Sequence, residues 1–205
     1  MAAARVFCVG RNYADHAIEM GGDGREAPFF FMKPAAALFR GDSLPYPPDT
    51  ADLHHEVELV LAIGKGGSGI SPETALGHVA GCGVGVDLTK RDRQAELKAK
   101  GQPWERAKAF DHSAPISAIH PVAKAPVPHA AAIRLSVNGE VKQQGNTSQM
   151  IWKPAEIIAA LSQIWSLAEG DLIFTGTPAG VGPLVRGDKV LAEIEGVAQL
   201  AFKVI

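Results

Sequence analysis

Three acidic side chains carry the densest chemistry in this 205-residue chain. In His54-His55-Glu56-Val57-Glu58-Leu59-Val60 two carboxylates flank one apolar residue, and positions i and i+2 of a strand share a face. Glu56 and Glu58 would then point one way while Val57 and Leu59 pack the other. Carboxylates held that close repel unless a cation lies between them, and an oxygen-only pair suits a hard ion, Mg²⁺, Mn²⁺ or Ca²⁺, better than zinc. By itself, Glu-x-Glu also fits the solvent face of an edge strand. Adjacent His54 and His55 face opposite ways, so neither is assigned as a ligand. The third acid, Asp87, ends the glycine-spaced run from Val79 to Val86, which reads as a strand packed too closely for side chains, and it precedes a helix start at Thr89. Ligands gather at such strand ends; the alternative is an Asp that only caps helix amides.

Around these acids lie groups able to handle a polarised substrate. Arg91 and Gln94 are three apart on the expected helix, hence on one face near its start, suited to an anionic or carbonyl group. His16 and Glu19 stand at i and i+3, where a glutamate can orient an imidazole as a water-activating base, or form an ordinary surface ion pair. Lys108 is a point charge able to stabilise an oxyanion. Gly176 to Gly182 reads as a tight turn that offers backbone N–H groups and the Thr177 hydroxyl to a carboxylate. Neither this segment nor Gly64 to Gly69 has the GxxxxGK[ST] spacing of a phosphate loop, and GxSxG is absent.

The elements that must position these groups are mostly strands. Asn138-Gly139 between two alternating runs predicts a type I′ hairpin. Leu191 to Ile205 predicts two strands around Glu195-Gly196, and Val57 to Ile63 and Leu172 to Thr175 predict buried ones. Helices are expected over Tyr13 to Met20, over Lys90 to Lys100 with Thr89 as N-cap and Gly101 as terminator, and over Ala155 to Trp165 after Pro154. Strands and helices do not alternate regularly, so a mixed-sheet α+β fold is expected over a doubly wound one. The segment 21–28, glycine-rich and charged, is a candidate lid.

Composition excludes several classes. With 20 basic against 22 acidic residues the charge is −2, and aromatics make up 6%, leaving no footprint for nucleic acid. The longest charge-free run, Leu172 to Val185, is too short and too broken by Gly and Pro for a membrane span. The first residues lack the apolar stretch of a secretory signal, and Cys8 and Cys82 without CxxC fit reduced thiols, with a single disulfide left open. A cytoplasmic enzyme of one domain, residues 1–205, is expected.

In this order the motifs resemble the fumarylacetoacetate hydrolase family: Gly10 to His16 with Glu19, Phe31-Met-Lys-Pro34, His55 to Glu58, Asp87 to Gln94, Lys108-Ala-Phe110, Val137 to Glu140, and Gly170 to Gly182. The resemblance implies mixed sheets forming a rolled β-sandwich, a homodimer, and a cation, Mg²⁺ or else Mn²⁺ or Ca²⁺, held by Glu56, Glu58 and Asp87. The length points to the short acylpyruvase and fumarylpyruvate hydrolase branch, which would cleave a C–C bond of 2,4-diketo acids from aromatic catabolism to pyruvate and an acid. In that chemistry His16, steered by Glu19, activates water, Lys108 and Gln94 stabilise the alkoxide, and Arg11, Arg91 and Thr177 hold the substrate carboxylate. Oxaloacetate decarboxylation, or isomerisation of a 2-hydroxy-diene dioate, would use the same enolate chemistry; a non-catalytic ligand-binding protein is the remaining class. Ala35-Ala36 stands where relatives commonly carry serine, and no fourth carboxylate ligand is evident.

Overall fold

The computed structural model describes residues 3–13 and 26–205. A six-stranded sheet runs in the order β10 (His120–Pro121), β7 (Val79–Val86), β6 (Val57–Ile63), β13 (Leu172–Phe174), β1 (Arg5–Gly10), β2 (Phe29–Pro34). A five-stranded sheet runs β12 (Glu140–Asn146), β11 (Ala132–Val137), β15 (Lys189–Ile194), β16 (Ala198–Val204), β4 (Ser43–Leu44). Smaller sheets join β14 (Gly182–Leu184), β5 (Leu53–His55) and β8 (Thr89–Lys90), and β3 (Leu38–Phe39) with β9 (Ala114–Pro115). Each large sheet is mixed: β1 pairs parallel with β13 and β16 parallel with β4, the other neighbours being antiparallel. The α-helices of the described residues are α1 (Pro72–Ala75), α2 (Arg91–Ala99), α3 (Glu105–Lys108) and α4 (Pro154–Ile164). This is the mixed α+β arrangement expected, built on several mixed sheets.

The alternation in the sequence decides what each strand buries. Val57, Leu59, Leu61 and Ile63 of β6 join Ile133 and Leu135 of β11, Ala192 and Ile194 of β15, and Ile157, Ile158 and Leu161 of α4 in one apolar cluster. Val60 and Ala62 face the other way, into a smaller cluster with Val6, Cys8, Leu172 and Phe174. Every residue of β6 is buried, since β7 and β13 flank it. The edge-strand reading of Glu-x-Glu is therefore wrong. The glycines of β7 are a packing requirement: a Cβ on Gly85 would meet Phe174 Cε1 at 2.5 Å, far inside van der Waals contact.

Local signals place the remaining elements within a residue or two. Asn138 (φ 53°) and Gly139 (φ 84°) form the hairpin turn, and Gly196 (φ 71°) turns β15 into β16. In α4 the Glu156 carboxylate accepts the Lys153 N–H at 2.8 Å, closing the first turn. Only Gln94 and Leu97 of α2 are buried. Thr89 is not its cap; it pairs with His54 in β8 and gives its hydroxyl hydrogen to Glu56. Tyr13 bridges Met150, while the rest of the helix expected to Met20 lies outside the described residues, as do residues 21–25 of the candidate lid.

Candidate active site

Glu56 precedes β6, Glu58 lies on it, and Asp87 follows β7, so the β6–β7 pairing that sets Val57 beside Val86 brings all three acids together. One oxygen from each lies within 4.8 Å of the others, and all three side chains are buried. Such a cluster needs compensation, and it comes from three cations. Lys108 Nζ contacts Glu56 Oε2 at 2.9 Å and Asp87 Oδ2 at 2.7 Å. Lys33 Nζ lies 2.8 Å from Asp87 Oδ1, and Arg91 Nη2 donates to Glu56 Oε1 at 2.7 Å. The acid at Asp87 is thus an ion-pairing group, and α2 has no side-chain cap.

Glu58 is the odd member. Its Oε2 accepts the Gly176 N–H at 2.6 Å. Burial first, and then the charges of Asp87 and Glu56, push its carboxyl well above the usual range, the Gly176 bond and Lys108 offsetting only part of this. A divalent cation among the three would supply the positive charge that this group lacks, and an all-oxygen donor set matches a hard ion. Lys108 behaves oppositely: burial lowers its pKa, but the neighbouring Asp87 and Glu56 outweigh burial and raise it. It stays an ammonium at neutral pH, fit to donate hydrogen bonds and not to act as a base.

These groups open on a cavity of about 40 Å³, also lined by Arg11, Phe29, Phe31, Gln94, Lys98, Trp104 and Thr177. Arg91 Nη1 donates to Gln94 Oε1 at 2.6 Å, which fixes the amide and leaves its NH₂ as the free donor. A similar argument orients Thr177. Gln143 Oε1 accepts the Val57 N–H at 3.1 Å and meets His55 Nδ1 at 2.8 Å, so Gln143 Nε2 must donate to Thr177 Oγ1 at 2.8 Å and to the Pro178 carbonyl at 2.9 Å. The Thr177 hydroxyl, already an acceptor, keeps its own hydrogen for a ligand. His55, buried with its pKa lowered chiefly by desolvation, belongs to this scaffold.

Arg11 takes the left-handed backbone conformation at φ 56°, uncommon for a residue with a side chain. Asn12 holds it there: its Nδ2 donates to the Thr175 and Trp152 carbonyls at 2.7 and 2.9 Å, and its Oδ1 accepts the Trp152 N–H at 2.7 Å. The same contacts pin the turn at Gly176 (φ 98°), where a Cβ would lie 2.6 Å from Asn12 Cβ.

Of the site residues expected from sequence, Glu56, Glu58, Asp87, Lys108, Gln94, Arg91, Arg11 and Thr177 line this one cavity. His16 and Glu19 lie outside the described residues. Lys33, Asn12 and Gln143 had no assigned role. Lys33 is 1% exposed, and its ammonium also donates to the carbonyls of Leu88 and Lys108. A sequence signal existed, since a lysine two and four residues after Phe31 and Phe29 shares their face of β2.

The model of the fumarylacetoacetate (FAA) hydrolase C-terminal family matches residues 5–205. The mitochondrial oxaloacetate tautomerase of Mus musculus is 47% identical over 97% of this chain and 90% of its own length. An oxaloacetate tautomerase of Escherichia coli is 45% identical over 94% and 89%. The structure of fumarylpyruvate hydrolase from Pseudomonas aeruginosa, solved with Mn²⁺ and pyruvate, superposes with a TM-score of 0.96 at 48% identity, covering 99% of this chain and 90% of that one. The carboxylate cluster, its compensating cations and these likenesses agree, and the chain belongs to the fumarylacetoacetate hydrolase family.

Proposed function

We propose that this chain is a divalent-cation-dependent enzyme that hydrolyses a C–C bond of 2,4-diketo acids, acylpyruvate or fumarylpyruvate, to pyruvate and a carboxylic acid. The observation that carries the reading is the convergence of three buried carboxylates in a cavity whose other polar walls are hydrogen-bond donors. Glu56, Glu58 and Asp87 are assigned as ligands of Mg²⁺, with Mn²⁺ as a substitute. When bound, the cation supplies Lewis-acid stabilisation of charge on the 2-oxo group. Arg11, the Thr177 hydroxyl and the outer edge of Arg91 bind the adjacent carboxylate and orient the chain. The Gln94 NH₂ and the Lys108 ammonium donate to the distal carbonyl oxygen as it gains charge. His16, oriented by Glu19, takes a proton from water; the water oxygen bonds to the distal carbonyl carbon, the C–C bond breaks, its electron pair goes to the pyruvate carbon, and that carbon receives the proton.

A second reading, oxaloacetate tautomerisation, draws support from the names of the relatives in Mus musculus and Escherichia coli. It uses the same carboxylates and donors and needs no attacking water. The test incubates EDTA-stripped protein with fumarylpyruvate or acetylpyruvate, with and without Mg²⁺, and separately follows the enol absorbance of oxaloacetate. Equimolar pyruvate and acid only with the cation is the expected result. Accelerated loss of enol without pyruvate from either diketo acid would replace hydrolysis by tautomerisation.

A further inference from the structure

Strand β12 is the outer strand of the five-stranded sheet, and Gln143 is its one buried residue. Leu135 pairs with Gln143 but Ser136 pairs with Val141, so Lys142 is an extra residue in the ladder. A bulge of this kind re-aims a neighbouring side chain, here a glutamine turned into the interior. The turn that carries Thr177 is seated on this strand. A Cβ on Gly145 would lie 2.8 Å from Pro178 Cβ, and one on Gly180 would collide with the Lys142 carbonyl oxygen. The Gln143 amide spends its whole hydrogen-bonding capacity, and the groups at its two ends fix its sense. The Val57 N–H, between Glu56 and Glu58 in sequence, can only donate and takes Oε1; the Pro178 carbonyl can only accept and takes Nε2. His55 must then donate from Nδ1 to Oε1, and Nε2 must donate to Thr177 Oγ1. One side chain thus ties the strand of the two glutamates to the turn, and it reaches Thr177 only as a donor.

We infer that Gln143 is a positioning residue that acts through Thr177, setting its hydroxyl as a donor so that this wall of the cavity takes a carboxylate and rejects an uncharged carboxamide. The NH₂ of a carboxamide would meet a second donor there. The inference rests on the proposed function for placing the substrate carboxylate at Thr177. Without the Gln143 amide the hydroxyl is free to rotate, and it accepts a hydrogen bond as readily as it donates one.

The test separates this role from the reaction. Mg²⁺-loaded protein is titrated calorimetrically with pyruvate and with pyruvamide, and the ratio of the two affinities is the readout. Arg11 and the cation favour the anion in every variant, so the change in the ratio is what counts. Thr177→Val, which leaves the buried amide in place, should lower the ratio about tenfold, the size of one charge-assisted hydrogen bond. Gln143→Met should lower it in the same direction, as should Gln143→Asn, whose shorter side chain keeps an amide that cannot reach Thr177. On the Thr177→Val background the same changes at Gln143 should leave the ratio within about twofold, because the two residues act as one unit. Equal weakening of both ligands by Thr177→Val or by the Gln143 variants, or a Gln143 effect that persists without the hydroxyl, overturns the assignment. So does a wild type that binds neither ligand. Failure to hydrolyse fumarylpyruvate alongside an intact, Gln143-dependent ratio would reject the reaction and keep the positioning role.

Discussion

Strand β13 has a buried acid at each end, and the two are held very differently. Before it, Asp171 is fully buried and its carboxylate is satisfied: Arg5 donates to both oxygens, at 3.0 and 2.5 Å, and the Ala168 N–H adds a third bond at 2.8 Å. Beyond it, the Gly176 N–H holds Glu58, which faces two other carboxylates and whose pKa burial and those charges drive up. One end is a closed latch between β1 and β13. The other stores electrostatic repulsion in a cavity, which favours a ligand of opposite charge. The same fold thus spends buried charge on stability at one end of a strand and on binding at the other.

The strongest way to break this contrast is to neutralise the strained acid. Glu58→Gln should abolish measurable cation binding and lower turnover by at least about a hundredfold, beyond the effect usual for residues that only orient a ligand. Its cation-free melting temperature should be no lower than the wild type's, because repulsion is removed. A destabilised Glu58→Gln, seen in a thermal scan, would place Glu58 with Asp171 as a structural acid.

Lys33→Met removes a cation from Asp87 and a donor from the Lys108 carbonyl. The cation-free protein should lose about 3 kcal/mol, as when one member of a buried pair is deleted, and saturating Mg²⁺ should recover a large part of it. Denaturant titration with and without Mg²⁺ measures both. No recovery would mean that Lys33 acts only in the fold.

At the latch, Asp171→Asn should cost about 1–2 kcal/mol, discounted because the Arg5 side chain is 36% exposed. The melting temperature should fall by a few degrees with cation affinity unchanged. A change in affinity would join the two ends of β13 into one unit.

The smallest effect is a pH slope. A carboxyl whose folded-state pKa is raised binds more protons folded than unfolded, so cation-free stability should fall as pH rises above the ordinary glutamate range of about 4.5. With the cation bound, that contribution should vanish. Parallel pH profiles of the two forms would deny Glu58 its part.

Much of the site could be read from spacing because its acids obey strand parity. Glu56-x-Glu58 needed only the i, i+2 rule, and the glycines before Asp87 announced a strand without room for side chains. The edge-strand alternative failed because hydrophobicity at alternate positions does not reveal that β7 and β13 cover both edges of β6. The supporting network was hidden for another reason. Gln143 meets His55 across 88 positions, Asn12 meets Thr175 across 163, and Lys33 meets Leu88 across 55. A lone amide or lysine carries no local sign of so distant a partner. Thr89 misled as an N-cap since its hydroxyl had a better acceptor in Glu56, the residue between β5 and β6.

The central claim is that Glu56, Glu58 and Asp87 form one hard-cation site. Calorimetric titration of Mg²⁺ or Mn²⁺ into EDTA-stripped wild type, Glu56→Gln, Glu58→Gln and Asp87→Asn tests it directly. The account predicts one ion per chain in the wild type and loss of that binding in each variant, with all four proteins folded by circular dichroism. Wild-type affinity retained in the folded variants would contradict it.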